Sequence, residues 1–244
     1  MMKRYKACSS CGGNRHRDSK KEKKRINIKE NLTGAEKLSL EDLLEEELEN
    51  PMVQLRYTYA LDVIREKLRL IHADLTAQSR RPVIRNLSSR IKTAESIGRK
   101  LVKKQHEISF ETAVATLNDI AGIRVVCYFC DDIYQVAAAI REQSDLRVIK
   151  EKDYVKRPKK SGYQSVHLIV GVPVTYRDRT QEIRVEVQIR SFAMDYWAEM
   201  DTQMCYKKNT AQILHVERET KNYSDLIAEV DNKMLELRRR IEGG

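Results

Sequence analysis

The period of apolar and polar positions divides the chain into separate blocks. Residues 1–35 carry little periodic apolar content, so no packed element is predicted there. The stretch LEDLLEEELEN at 40–50 is acidic and helix-prone, and Asn50-Pro51 marks its end. From Met52 to Gln78 a long helix is expected, because Leu61, Ile64, Leu68, Ile71 and Leu75 step by three and four and form one apolar face. Pro82 breaks that pattern. VIRNLSSRIK (83–92) then alternates as a strand, and TAESIGRKLVKK (93–104) reads as a helix capped at Thr93 or its neighbour. FETAVATLND (110–119) is predicted as a short helix ending at Asp119.

AGIRVVCYFC (121–130) is an apolar run of strand length, and DDIYQVAAAIREQ (131–143) is a helix with acids at its positive end. Three further strands are expected over 145–155, 164–174 and 182–191, with the basic loop RPKKSGY before the second and TYRDRTQ as a turn before the third. FAMDYWAEMDTQMCYKK is helical, and a last helix runs from about Gln212 to Ile241. Its residues Tyr223, Ile227, Val230, Met234, Leu237 and Ile241 make a short heptad seam. The fold class is therefore α/β (α+β): a mixed β-sheet of about five strands flanked by helices, with N- and C-terminal helices. The expected divisions are a basic tail (1–35), a central domain (36–210) and a C-terminal helix (211–244).

Charge changes this picture at one end. The formal net charge is +10, and residues 1–25 hold ten Lys or Arg against Asp18 and Glu22, which is +8 of it. The remainder is a nearly balanced domain, and the tail suits contact with RNA or another polyanion, or plain solvation. No apolar run reaches the length of a membrane span, and the N-terminus has no apolar signal core, so a cytoplasmic location is expected. The odd cysteine count fits a reducing compartment. Cys127 and Cys130 sit in the apolar run VVCYFC and read as core packing. Cys8, Cys11 and His16 amount to half a zinc site at most, because a closed site needs four ligands.

Four polar groups at the ends of these elements carry candidate chemistry. In RIKTAESIGRK, Arg90 and Lys92 share a strand face, Ser96 lies in the first turn of the next helix, and Lys100 lies one turn on. Free N–H groups, a hydroxyl and several cations suit a polyphosphate, although charged helix faces are also common on plain surfaces. In NDIAGIRVV, Asp119 precedes a buried strand and Arg124 lies within it, where an unpaired charge is costly. Arg124 therefore needs either an acid on a neighbouring strand or a ligand. In DYVKRPKKSGYQSVH, Lys159 and Tyr163 occupy a basic loop and His167 enters a strand; phosphate and base contacts compete with a core Tyr and a structural His. In RVEVQIRS, Glu186, Gln188 and Arg190 alternate with Val185, Val187 and Ile189. A sheet covered on both faces should not carry such a polar stripe, so the stripe faces either solvent or a cleft.

Taken together, the motifs R-x-K-x-x-x-S-x-x-x-K (Arg90 to Lys100), D-I-A-G-x-R (Asp119 to Arg124), D-Y with K-x-x-G-Y-Q-S-x-H (Asp153 to His167) and E-x-Q-I-R-S (Glu186 to Ser191) closely resemble the synthetase domain of the RelA/SpoT family of alarmone synthetases over roughly residues 55–208. Trp197 and the pair Tyr206-Lys207 extend the likeness to small members, whereas Asp201-Thr202 stands where those usually carry Glu-His. The resemblance implies a nucleotidyltransferase-like synthetase domain that moves the β,γ-diphosphate of ATP to the 3′-hydroxyl of GDP or GTP and releases AMP. It implies that Arg90 and Arg124 sandwich the adenine and that Lys92, Ser96 and Lys100 hold ATP phosphates. Asp119 and Glu186 would bind Mg²⁺, with Glu186 the base, and Tyr163 would stack on the acceptor guanine. Lys159, His167, Gln188 and Arg190 would complete the acceptor surface. Assembly as a homotetramer through terminal helices is also implied, against the plainer expectation that both apolar helix faces pack on their own sheet. A non-catalytic alarmone- or RNA-binding regulator, and the same transfer to an adenine nucleotide or tRNA end, are the alternative readings.

Overall fold

The structure, a computed structural model, describes residues 34–205 and 213–243. The basic tail, with Cys8, Cys11 and His16, lies outside the described residues, as does the Tyr206-Lys207 pair.

Two helices open the fold, α1 (Gly34–Glu49) and α2 (Pro51–Ser79). Asn50 ends one and caps the other: its side chain accepts from the Met52 N–H at 3.0 Å, and Pro51 occupies the first helical position. The predicted face of α2 is buried throughout, with Ile64 and Leu68 at 1% and 0% exposure. Each such leucine or isoleucine contributes on the order of 1.5–3 kcal/mol by leaving water.

The sheet is five-stranded and mixed, in the order β1 (Ile84–Ile91), β2 (Ala121–Cys127), β5 (Arg179–Ser191), β4 (Val166–Tyr176), β3 (Arg147–Asp153). Only the β2–β5 pairing is parallel. It sets Gly122 beside Glu186 and Arg124 beside Gln188. α2 and α5 (Cys130–Arg141) pack on the sheet, and the inward residues Val185, Val187 and Ile189 of β5 are fully buried. α3 (Ala94–Lys103) follows β1, with Thr93 as its N-cap accepting from the Ser96 N–H. α6 (Phe192–Cys205) runs directly out of β5, and α7 (Ile213–Glu242) packs against α6 and α5.

Two expectations need correction. The helix predicted to end at Asp119 is α4 (Phe110–Thr116), and it stops at Thr116. Leu117 takes an extended conformation, and Arg184 donates to the Val114 and Ala115 carbonyls and to Asn118 Oδ1. With its last carbonyls taken by a side chain from β5, the helix has no reason to continue. Asp119 therefore sits in the connection to β2. The second correction concerns α7. Its heptad seam does not pack on the sheet: Tyr223, Val230, Met234, Leu237 and Ile241 are all at least half exposed, and Ile227 is half-buried. The face turned inward instead carries Thr220, Ser224, Asp231 and Leu235. Cys127 is buried as expected, while Cys130 is half-buried at the start of α5.

Candidate active site

The period-two alternation of β5 buries the valines and the isoleucine on one face and turns Glu186, Gln188 and Arg190 to the other. That stripe lines a cleft. Ser88, Arg90, Asp119, Gly122, Arg124, Glu186 and Gln188 are among the walls of a cavity of about 290 Å³. Gly122, paired with Glu186, leaves the floor free of a side chain there.

At the Asp119 wall, Lys92 and Lys100 both bind Asp119 Oδ2, Lys100 at 2.6 Å. They come from the end of β1 and the second turn of α3, which is why the i, i+8 spacing converges. Burial pushes the Asp119 carboxyl up, but the hydrogen bonds and charges of Lys100 and Lys92 outweigh it and hold the carboxyl below its usual range. Asp119 Oδ1 is buried with no hydrogen-bond partner. Arg90 is exposed at the wall. Ser96 stands apart from the cavity lining, its hydroxyl accepting from Thr93 Oγ1 at 3.0 Å and Arg99 Nη2 at 3.3 Å.

The remaining residues close into a ring of hydrogen bonds. Arg190 Nη2 donates to Tyr163 Oη at 2.7 Å and to Gln188 Oε1 at 3.1 Å. Gln188 Nε2 donates to Glu186 Oε2 at 2.7 Å. Tyr163 Oη lies 2.8 Å from His167 Nε2, and His167 Nδ1 lies 3.1 Å from Glu186 Oε1. One proton arrangement with a neutral imidazole satisfies both ring nitrogens of His167: the Tyr163 hydroxyl donates to Nε2 and the Nδ1–H donates to Glu186. Both branches then run from the buried guanidinium of Arg190 to the Glu186 carboxylate. Burial pushes that carboxyl up, the bonds from His167 and Gln188 pull it down, and the net direction is down, against a small repulsion from Asp119. Lys159 Nζ sits 4.3 Å from the centre of the Tyr163 ring and 4.7 Å from that of Tyr154.

Sequence reasoning missed Asp195. This acid in the first turn of α6 reaches Arg190 at 3.2 Å and Arg124 at 3.4 Å through the same oxygen, Oδ1. Arg124 thus has an acidic partner, on a helix and not on a neighbouring strand. The only signal was an acid five residues after Arg190, which the helix dipole already explains.

Among the described residues no three His, Cys, Asp or Glu side chains cluster as a closed metal site. The repulsion between Asp119 and Glu186 and the partnerless Oδ1 fit a divalent cation that takes its other oxygens from phosphates and water. The site can therefore gather a polyphosphate, neutralise it and accept a proton beside it.

A family profile described as "Region found in RelA / SpoT proteins" matches residues 89–211. The GTP pyrophosphokinase YwaC of Bacillus subtilis is 35% identical over 186 residues, spanning 76% of this chain and 89% of that protein. The GTP pyrophosphokinase YjbM of the same organism is 30% identical over 76% of this chain and 87% of its own length. Among solved structures, small alarmone synthetase 1 from Bacillus subtilis bound to its product pppGpp superposes with a TM-score of 0.69 at 29% identity, covering 77% of this chain and 95% of that one. Small alarmone synthetase 2 from the same organism does so with a TM-score of 0.66 at 34% identity, covering 76% and 97%.

Proposed function

This chain belongs to the family of RelA / SpoT proteins, and from that premise we propose that it is a small alarmone synthetase, an ATP:GTP/GDP 3′-pyrophosphotransferase. The observation that carries the reading is one cleft lined by Asp119, Glu186, Arg90 and Arg124, with Lys92 and Lys100 bound to Asp119. A non-catalytic binder has no use for two mutually repelling carboxylates on its floor.

In the proposed reaction Arg90 and Arg124 flank the adenine, and Lys92, Lys100 and Ser96 gather the phosphates. Tyr163 and Lys159 receive the acceptor guanosine nucleotide, with His167, Gln188 and Arg190 fixing its surroundings. Glu186 takes the proton of the 3′-hydroxyl as the bond from that oxygen to Pβ forms. The bond between Pβ and the bridging oxygen breaks, and AMP leaves. Ionised and held by two donors, Glu186 has one orientation from which to act. Asp119 and Glu186 would hold Mg²⁺, which supplies neutralisation of the charge on the transferred diphosphate. The catalytic load on the protein is mainly positioning and charge.

The exposed apolar seam of α7 supports assembly with further copies of the chain, as a homotetramer. Contact of the basic tail with RNA is proposed on charge alone, and removal of residues 1–30 should abolish RNA binding and spare synthesis. No described helix is long and apolar enough to cross a membrane.

The direct test mixes the protein with ATP, Mg²⁺ and, separately, GDP, GTP, ADP and uncharged tRNA, and resolves the nucleotides by anion exchange. AMP together with a more highly phosphorylated guanosine nucleotide is the expected result. Product from ADP or tRNA alone would keep the chemistry and replace the acceptor.

A further inference from the structure

Helix α7 stands behind the loop that carries Lys159 and Tyr163. Gly162 adopts φ +94 in that loop, a conformation that favours glycine. Its N–H donates to the Lys159 carbonyl at 2.8 Å, and the Lys159 N–H donates to the Tyr163 carbonyl at 3.1 Å. The turn is thus closed on itself, and the carbonyl of Gly162 is taken by α7: Ser224 Oγ donates to it at 2.6 Å. Ser224 is 3% exposed. Gln164 Nε2 donates to the same hydroxyl at 3.4 Å, so α7 holds the loop on both sides of Tyr163. The approach is close: a Cβ on Gly162 would stand 2.6 Å from Ser224 Cβ.

A void of about 10 Å³ lies beside this loop, bordered by Gln164, Trp197, Ser224 and Asp231. That is room for about one water. The helix itself is anchored firmly on the same side. Ser191 Oγ donates to Asp231 Oδ2 at 2.5 Å, and Trp197 Nε1 donates to the Thr220 carbonyl at 2.9 Å. Ser191 follows Arg190 directly, so α7 ties the loop of Tyr163 to the end of the strand that bears its hydrogen-bond partner.

We propose that Ser224 is a positioning residue for the acceptor nucleotide. Its hydroxyl fixes Gly162 and thereby sets where Tyr163 and Lys159 stand, without touching the ATP side of the cleft. The inference rests on the reading above, in which those two residues receive the acceptor. A buried hydrogen bond from a neutral donor holds the loop, and its loss lets the loop move while the fold persists.

The test pairs Ser224→Ala with Ser224→Thr, which keeps the hydroxyl. In initial-rate measurements with each nucleotide varied, Ser224→Ala should raise KM for GDP and GTP about threefold to tenfold and leave KM for ATP within about twofold. Ser224→Thr should restore the acceptor KM. In parallel, hydrogen exchange over 158–165 should quicken in Ser224→Ala and not over β5. Unchanged acceptor KM, KM values for both nucleotides rising together with a fall in thermal midpoint, or unchanged exchange in the loop would each overturn the proposal. Failure of the wild-type chain to use GDP or GTP would instead remove the functional reading, and the exchange contrast would still decide whether Ser224 holds the loop.

Discussion

Glu186 is held by two donors and Asp119 by two lysines, and this decides what their variants will do. Glu186→Gln keeps the size of the side chain and removes the proposed proton acceptor, and Asp119→Asn removes half of the charge offered to the proposed cation. Each should lower turnover by at least about 100-fold while circular dichroism stays that of the wild type. Both carboxyls are held below their unfolded values. They therefore contribute stability at neutral pH, and that contribution disappears as pH falls through the folded-state values. In thermal melts at about pH 7 and about pH 3, each variant should lose less of its midpoint between the two than the wild type does. Equal losses would mean that other carboxyls govern acid unfolding. At this scale the sequence was partly legible. The stripe of Glu186, Gln188 and Arg190 was visible because a strand has period two. The ring through Tyr163 and His167 was not, because it depends on β4 and β5 pairing His167 with Gln188, and no local pattern encodes that register. Asp195 stayed hidden because its position in a first helical turn already had a sufficient local explanation.

Elements were legible where burial followed apolarity and misread where it did not. The face of α2 obeyed the rule. α7 broke it, because the inward face is held by side-chain hydrogen bonds and ion pairs, while the apolar seam points outward. Its far end is bound by Arg238, bidentate to Asp131 at 2.6 and 3.2 Å, with the guanidinium 4.7 Å from the Phe129 ring. Arg81 reaches across the same ring and binds Asp132, whose side chain is fully buried, at 2.6 and 3.0 Å. Removing Arg81 leaves the buried Asp132 carboxylate with only the Phe129 N–H at 3.2 Å and the more distant Arg238 at 3.8 Å. Arg81→Ala should destabilise the fold by about 3–5 kcal/mol, read by denaturant unfolding. A loss under about 1 kcal/mol would show that solvent reaches Asp132 readily. Asp231 behaves in the opposite sense. Burial pushes its carboxyl up, the Ser191 hydroxyl only partly offsetting this and Asp131 adding to it. Its ionised form therefore weakens the fold at neutral pH, and protonation relieves that. Asp231→Asn should raise the thermal midpoint at neutral pH, with the gain shrinking as pH falls into the carboxylate range. A gain that is constant with pH would contradict the assignment.

For the whole molecule, the fold class was readable because five strand-length runs with intervening helices leave few architectures open, and the parallel join of β2 to β5 was not, because it links segments far apart in sequence. The outward seam of α7 is where copies of the chain are proposed to meet. Met234→Glu combined with Leu237→Glu should shift the protein to monomer in size-exclusion chromatography with light scattering, and an unchanged mass would place the contact elsewhere. The clasp of Lys92 and Lys100 on Asp119 has an outcome of its own. Without nucleotide, the carboxylate already has its counter-ions, so a bare divalent cation must compete with two ammonium groups for it. On the proposed reading ATP would remove that competition, because its phosphates would draw the lysines off and free the carboxylate in the same event. Arrival of a metal–nucleotide complex would then be an ion exchange in which charge is redistributed and little new charge is buried. Titration calorimetry should accordingly find weak Mg²⁺ binding alone and much tighter binding in the presence of a non-hydrolysable ATP analogue, and Lys92→Met should narrow that gap by letting the metal bind first.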